Sequence, residues 1–343
     1  MKIKELFSIA ATTLLSGLLL AIIVFTTYTE RAEAQTNTAA DHKELIASRQ
    51  TSPAKVYFTT DISSAGLIAV YNALGKKPDN ASITSGKVAV KITTGEPPNS
   101  NYLKPELIRD LVRSVNGTLV ESNTAYGGRR ASTALHKQVA KDHGYTAIAN
   151  VDILDENGSI SLPVQGGTRL KENFVGSHFI NYNYYIVLSH FKGHTMAGLG
   201  GAIKNISIGI ASSEGKSWIH TGGRSKSGIS GDQNAFLDSM AEAGKAVVDR
   251  LNGNILYINV MNRLSIDCDC NGNPAEPDMH DIGILSSLDP VALDQACVDL
   301  VYTAPDGRSL IQRMESRNGI RAINHGAEIG LGSKTYELVR LNG

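Results

Sequence analysis

The chain has 343 residues, 42% of them hydrophobic, which is long enough for one large α/β domain or two modest ones around a real core. Thirty-three Lys and Arg balance 33 Asp and Glu, so no global field draws the protein to nucleic acid or to an anionic membrane surface. Any binding of anions has to be local.

At the N-terminus, Lys2 and Lys4 precede an apolar run from Phe7 to Phe25, and Ala32-Glu33-Ala34 then offers the small residues of a cleavage site. The pattern predicts a signal peptide over residues 1–34 and a folded part exported to the periplasm or beyond. The run is also about long enough to span a bilayer, so an uncleaved anchor over residues 7–25 is the alternative, and the only expected link to a membrane. No cysteine follows the run and no Arg-Arg pair precedes it, which argues against lipoprotein and twin-arginine signals. Residues 35–54 are polar and read as a linker.

Beyond the linker, short β-rich runs alternate with helical periodicity. Lys55 to Thr59 predicts a strand, Ser63 to Leu74 a helix stopped at Gly75, Lys77 to Gly86 a loop, and Lys87 to Ile92 a strand. Lys104 to Val115 has Leu107, Leu111 and Val115 on one helical face, followed by Asn116-Gly117. Thr118 to Glu121 and Ala147 to Leu154 predict strands around a helix from Ser132 to His143, and a polar excursion runs past Gly166-Gly167. Asn234 to Leu251 predicts a helix and Ile255 to Val260 a buried strand; Asp289-Pro290 supplies an N-cap and first-turn proline for another helix. The alternation predicts an α/β fold, a mostly parallel sheet flanked by helices, in one body or two lobes, with no internal repeat.

Parallel sheets bind ligands beyond the carboxyl ends of their strands, which singles out four loops: Thr93 to Asn99, Asn123 to Arg130, Ser189 to Gly201 and Asn262 to Asp278. The richest stretch follows the apolar run Tyr185 to Leu188. There His190 and His194 flank Lys192, and imidazoles in such a loop suit proton transfer or metal ligation. Lys204 and Lys216, with Gly200 and Gly201, suit a carboxylate or phosphate held by ammonium groups and backbone N–H. The glycines match neither a phosphate loop nor a dinucleotide fingerprint: Ile210 and Ile203 stand where glycine is needed.

Cys268, Cys270 and Cys297 are the only cysteines. Three readings stay open. The thiolates of Cys268, Cys270 and Cys297 hold zinc or an iron–sulfur cluster, with His280 or a carboxylate as a fourth ligand. Alternatively, Cys297 forms a structural disulfide with one of the other two. As an oxygen site, Asp267, Asp269, Asn271, Gly272 and Asp278 occupy calcium-loop positions.

Taken together, Ser189-His190-Phe191-Lys192-Gly193-His194, Gly200-Gly201-Ala202-Ile203-Lys204-Asn205, Gly215-Lys216, Asp267-Cys268-Asp269-Cys270, and Asp281-Ile282-Gly283-Ile284 leading into Asp289-Pro290-Val291-Ala292-Leu293-Asp294-Gln295-Ala296 resemble the family filed as domain of unknown function 362. The resemblance spans nearly everything from Lys55 onward. It implies iron–sulfur chemistry, often through a ferredoxin module inserted after the segment matching His220. Here Thr221 to Gly231 contains no cysteine, so those clusters do not carry over and any electron-transfer partner would be a separate protein. The expectation is therefore an exported α/β protein that binds a metal or an iron–sulfur cluster, a redox or Lewis-acid enzyme acting on a small anionic molecule. His190, His194 and Lys192 would do the chemistry, Lys204, Lys216, Gly200, Gly201 and His220 would bind the ligand, and Cys268, Cys270 and Cys297 would hold the metal. The alternative is a non-catalytic ligand- or calcium-binding protein with structural cysteines.

Overall fold

A computed structural model describes residues 53–341. The expected signal or anchor segment and nearly all of the linker lie outside the described residues. From Ala54 onward the chain forms one compact unit, so the two-lobe alternative is not realised. Among the described residues no helix is long and apolar enough to cross a membrane.

In chain order the elements are β1 (Ala54–Thr59), α1 (Ser64–Ala73), α2 (Asn80–Thr84), β2 (Val88–Lys91), α3 (Pro105–Ser114), β3 (Thr118–Glu121), α4 (Thr133–Asp142), β4 (Val151–Ile153), β5 (Ser159–Pro163) and β6 (Glu172–Gly176). There follow β7 (Tyr184–His190), β8 (Lys192–His194), β9 (Gly198–Gly200), α5 (Ala202–Ser207), α6 (Ser213–His220), α7 (Gln233–Leu251), β10 (Ile255–Met261), β11 (Gly283–Ser287), α8 (Pro290–Thr303), α9 (Arg308–Ser316), α10 (Ile320–Glu328) and β12 (Tyr336–Arg340).

Eight strands make the central sheet in the order β12-β1-β11-β10-β7-β2-β3-β4. Every neighbouring pair is parallel except the two made by β11, which runs antiparallel between β1 and β10. The uninterrupted apolar runs in β7 and β10 follow from burial on both faces. Tyr185 and Val187 of β7 pack into one core with Tyr257 of β10, and Tyr184, Ile186 and Leu188 pack into the other with Leu256 and Ile258. The helix starts follow their signals: Ser63 Oγ accepts from Gly66 N before α1, and Asp289 accepts from Val291 N and Ala292 N with Pro290 in the first turn of α8.

Three expectations are corrected locally. The loop from Lys77 to Gly86 contains α2, capped by Asp79, whose side chain accepts from Ser82 N at 2.6 Å. The strand expected over Ala147 to Leu154 shrinks to β4, because Tyr145–Ala147 forms a 3₁₀ turn that sinks Tyr145 into the core and lets its hydroxyl donate to Leu103 O at 2.6 Å. The excursion around Gly166-Gly167 is the connection of an antiparallel hairpin, β5 with β6.

Candidate functional site

A cavity of about 310 Å³ opens at the carboxyl ends of β2, β3, β7 and β10. All four loops singled out above contribute to its wall, through Thr93, Thr124 to Tyr126 with Arg130, Ser189 to Gly201, and Cys268 to Asn271. The loops are bound to one another. Glu96 N donates to Asp269 O at 2.8 Å, Gly193 N to Ser265 O at 2.9 Å and Asn99 Nδ2 to Asn271 O at 2.9 Å. Gly193 is required by this contact: a β-carbon there would run into the backbone of Ile266.

Most of the charge around the cavity is already spoken for. Lys91, at the end of β2, pairs with Glu121, at the end of β3, at 2.9 Å and also donates to Asn205 Oδ1 at 3.0 Å. Burial alone would raise the Glu121 carboxyl, but Lys91, His136 and Arg130 outweigh it and bring it down to about 2. Arg130 Nε pairs with Glu96 at 3.0 Å, and its Nη2 donates to Tyr126 Oη at 3.1 Å. Lys192 pairs with Asp269, and both side chains are almost out of water.

Two ammonium groups differ. Among the described residues neither Lys204 nor Lys216 has an ion-pair partner, Lys216 Nζ donates only to Ala211 O at 2.6 Å, and Lys204 Nζ has no hydrogen-bond partner. Burial pushes each of them down to about 8, with the repulsion of Lys91 and Arg130 adding to it and the nearby carboxylates, Glu121 for both and Asp155 for Lys216, opposing it. Asn205, next to Lys204, donates to Ser189 Oγ at 3.0 Å and so ties α5 to the end of β7.

The three cavity histidines have different free atoms. His190 has none: Nε2 lies 2.6 Å from Asn262 O and Nδ1 lies 3.1 Å from Asp269. The proton-transfer role expected of His190 is thereby corrected, since neither ring nitrogen faces a ligand. It positions Asp269, and with it Lys192, whose ammonium is engaged in the same ion pair. His194 accepts at Nδ1 from Met196 N at 3.1 Å and Ala197 N at 2.9 Å, which places its proton on Nε2. Burial and the nearby Lys204 hold this imidazole well below its ordinary range, so His194 is a neutral N–H donor. His220 is the converse. Its Nδ1–H donates to Lys216 O at 2.8 Å, the ring stacks on Phe236, and Nε2 is left as an acceptor on a residue that lines the cavity. Burial lowers it to about 4.

Gly201 serves the fold. A β-carbon there would collide with Asp294, whose carboxylate accepts from Ala202 N at 2.7 Å and Ile203 N at 2.9 Å and so fills the N-terminus of α5 that a bound anion was expected to use. At Gly200 the only neighbour a β-carbon would meet is Lys204 Cδ, at 3.7 Å.

The cysteines are corrected most. Cys268 and Cys270 form a disulfide with each other, and Cys297 is a free thiol buried in the core on α8, 3.4 Å from Asn259 Nδ2 and not among the residues lining the cavity. Among the described residues lining the cavity, the group able to hold a metal is His194, Cys268 and Cys270, whose ligand atoms lie within 4.8 Å of one another. This set does not fit zinc or an iron–sulfur cluster as it stands, because the sulfurs are bonded together and His194 carries hydrogen on the nitrogen that faces them. The calcium reading fails on direction. Asp269 is committed to Lys192 and His190, Asp267 pairs with Arg313 at 3.1 Å, and Asp278 accepts from Ser309 at 2.6 Å. His280 pairs with Asp306, away from the sulfurs.

Sequence reasoning passed over Lys91, Glu121 and Arg130 as individuals and read Asp269 only as a calcium ligand. The available signal was a charge closing an apolar strand, as in Val88-Ala89-Val90-Lys91 and Thr118-Leu119-Val120-Glu121.

No protein of curated function matches this sequence. Among solved structures, the lactate racemase apoprotein from Thermoanaerobacterium thermosaccharolyticum is similar at 15% identity and a TM-score of 0.36, over 60% of this chain and 50% of that one. A protein from Thermotoga maritima is similar at 11% identity and a TM-score of 0.38, over 77% of this chain and 58% of that one. The chain thus spans about half the length of the racemase, and no activity passes to it from either protein. Residues 88–299, more than half of the sequence, match the family described as Domain of unknown function (DUF362), and the chain belongs to that family.

Proposed function

We propose that the cavity binds a small anionic molecule and moves a proton on it. The observation that carries this reading is the Lys204 ammonium, which lines the cavity with neither a carboxylate nor a hydrogen-bond acceptor of its own among the described residues, while Lys91, Arg130 and Lys192 around it are each paired. A cation held in that state is stabilised by an incoming carboxylate or phosphate oxygen. Lys216 adds a second charge. Proton transfer falls to Lys204, lowered to about 8, and to the Nε2 of His220, both in the cavity lining.

Calorimetric titration with inorganic phosphate and with malonate tests the binding. Saturable binding of either that is lost in Lys204→Met supports the reading, and undiminished binding in that variant overturns it. Metal binding is a second reading, favoured by the His194, Cys268 and Cys270 group alone, with the metal undetermined. We also read residues 1–34 as an export segment, a reading that the Cys268–Cys270 disulfide supports because such bonds persist in oxidising compartments.

A further inference from the structure

The Cys268–Cys270 disulfide lies in the cavity wall rather than in the core, and each sulfur has a hydrogen-bond donor aimed at it. Cys270 N lies 3.3 Å from Cys268 Sγ, and His194 Nε2 lies 3.6 Å from Cys270 Sγ. The second donor is fixed, because the amides of Met196 and Ala197 both donate to Nδ1 and leave His194 no other neutral tautomer. Donors directed at sulfur stabilise a thiolate more than a thioether-like disulfide sulfur, so both leaving groups of a reduction are provided for. The sulfurs are also unequal in access: Cys268 is buried, at 8% exposure, while Cys270 is half-buried.

From these observations we infer that Cys268–Cys270 is a reducible two-electron centre, in which Cys270 is the sulfur attacked first and His194 is the positioning residue that stabilises its thiolate. The reductant is a dithiol. One of its thiolates attacks Cys270 Sγ, the S–S bond breaks, and Cys268 leaves as a thiolate received by the Cys270 amide and is protonated from water. The second thiol of the reductant then attacks its own sulfur in the mixed disulfide. Cys270 is released as a thiolate facing His194 Nε2–H, and the reductant departs as its cyclic disulfide, having given two electrons to the protein. Reduction replaces a closed sulfur bridge in the cavity wall by two thiols.

Differential alkylation read by mass spectrometry tests this on the folded, aerobically purified protein, with the buried Cys297 as internal control. Cys268 and Cys270 are expected to resist iodoacetamide until dithiothreitol is added and to react afterwards, while Cys297 reacts only on denaturation. Free thiols at both positions before reduction overturn the inference, and so does a stoichiometric metal that shields them. Single variants then assign the order of attack. Cys268→Ser exposed to glutathione disulfide is expected to gain a mixed disulfide on Cys270 about tenfold faster than Cys270→Ser gains one on Cys268; equal rates overturn the assignment. Adding His194→Phe to Cys268→Ser is expected to slow the reaction by a similar factor, and His194→Gln, which keeps an N–H donor, is expected to restore most of it. Failure of His194→Gln to do better than His194→Phe removes His194 from the centre. Phosphate binding through Lys204 is a separate readout, so the two readings fail independently.

Discussion

Lys192 and Asp269 join β8 to the cysteine loop by an ion pair whose side chains are 1% and 3% exposed. Breaking a pair at such depth leaves the other charge stranded, at a cost of about 3–5 kcal/mol. Asp269→Asn and Lys192→Met are each expected to lower stability by that order in chemical denaturation, and Lys192→Met with Asp269→Leu to recover part of the loss. A single variant as stable as the parent would mean that the two side chains are solvated in solution.

Anion binding is expected to depend on pH in one direction. Lys204 and Lys216 lose their protons near 8 instead of near 10.5, and only the ammonium form attracts an anion. Affinity for phosphate should therefore hold from neutrality to about pH 8 and fall above it, with the midpoint raised in the complex because the bound anion favours the proton. Titrations from pH 6.5 to 9.5 check this, and affinity that is flat across the range would remove both lysines from the binding step.

Lys204 should also carry a stability cost. An ammonium with no partner is held there at the expense of the fold, so Lys204→Met is expected to raise the melting temperature of the ligand-free protein, by roughly 1 kcal/mol in stability, while abolishing anion binding. A variant that melts lower than the parent would show that the ammonium has a partner in solution.

Acid should weaken the ion pairs around Glu121. The Glu121 carboxyl titrates near 2 in the folded chain against an ordinary 4.5, so its stabilising contribution is complete above pH 4.5 and is lost as pH falls toward 2. Urea midpoints measured at pH 6 and pH 3.5 are expected to differ less in Glu121→Gln than in the parent. An equal drop in both would assign acid sensitivity to other groups.

How much of this was legible in the sequence varied with the physics. The strands of the sheet centre were legible because β7 and β10 are buried on both faces and leave unbroken apolar runs, and the helix starts at Ser63 and Asp289 because a cap is a local event. The hairpin of β5 and β6 was not, since β5 is half-buried or exposed over most of its length and β6 buries Asn173 and Gly176 beside Phe174 and Val175, which leaves no apolar run to mark it. The four cavity loops could be picked from strand ends, but which of their side chains face the ligand depends on long-range partners. Asn262 O and Asp269, far along the chain from His190, occupy its ring, and Asp294 fills the helix start after Gly201 that an anion was expected to use. Cys297 was assigned to the cysteine loop by residue type alone, and its position on a core-facing turn of α8 separates it.

The residue between the two sulfurs of the cavity wall is Asp269, and its side chain is tied to Lys192 and His190. That tripeptide is therefore anchored at its middle, independently of the bond that closes its ends. Chemistry at the sulfurs is uncoupled from movement of the backbone: electrons can enter or leave while the wall keeps its outline. Crystals grown in the oxidised state should survive soaking in dithiothreitol without loss of order.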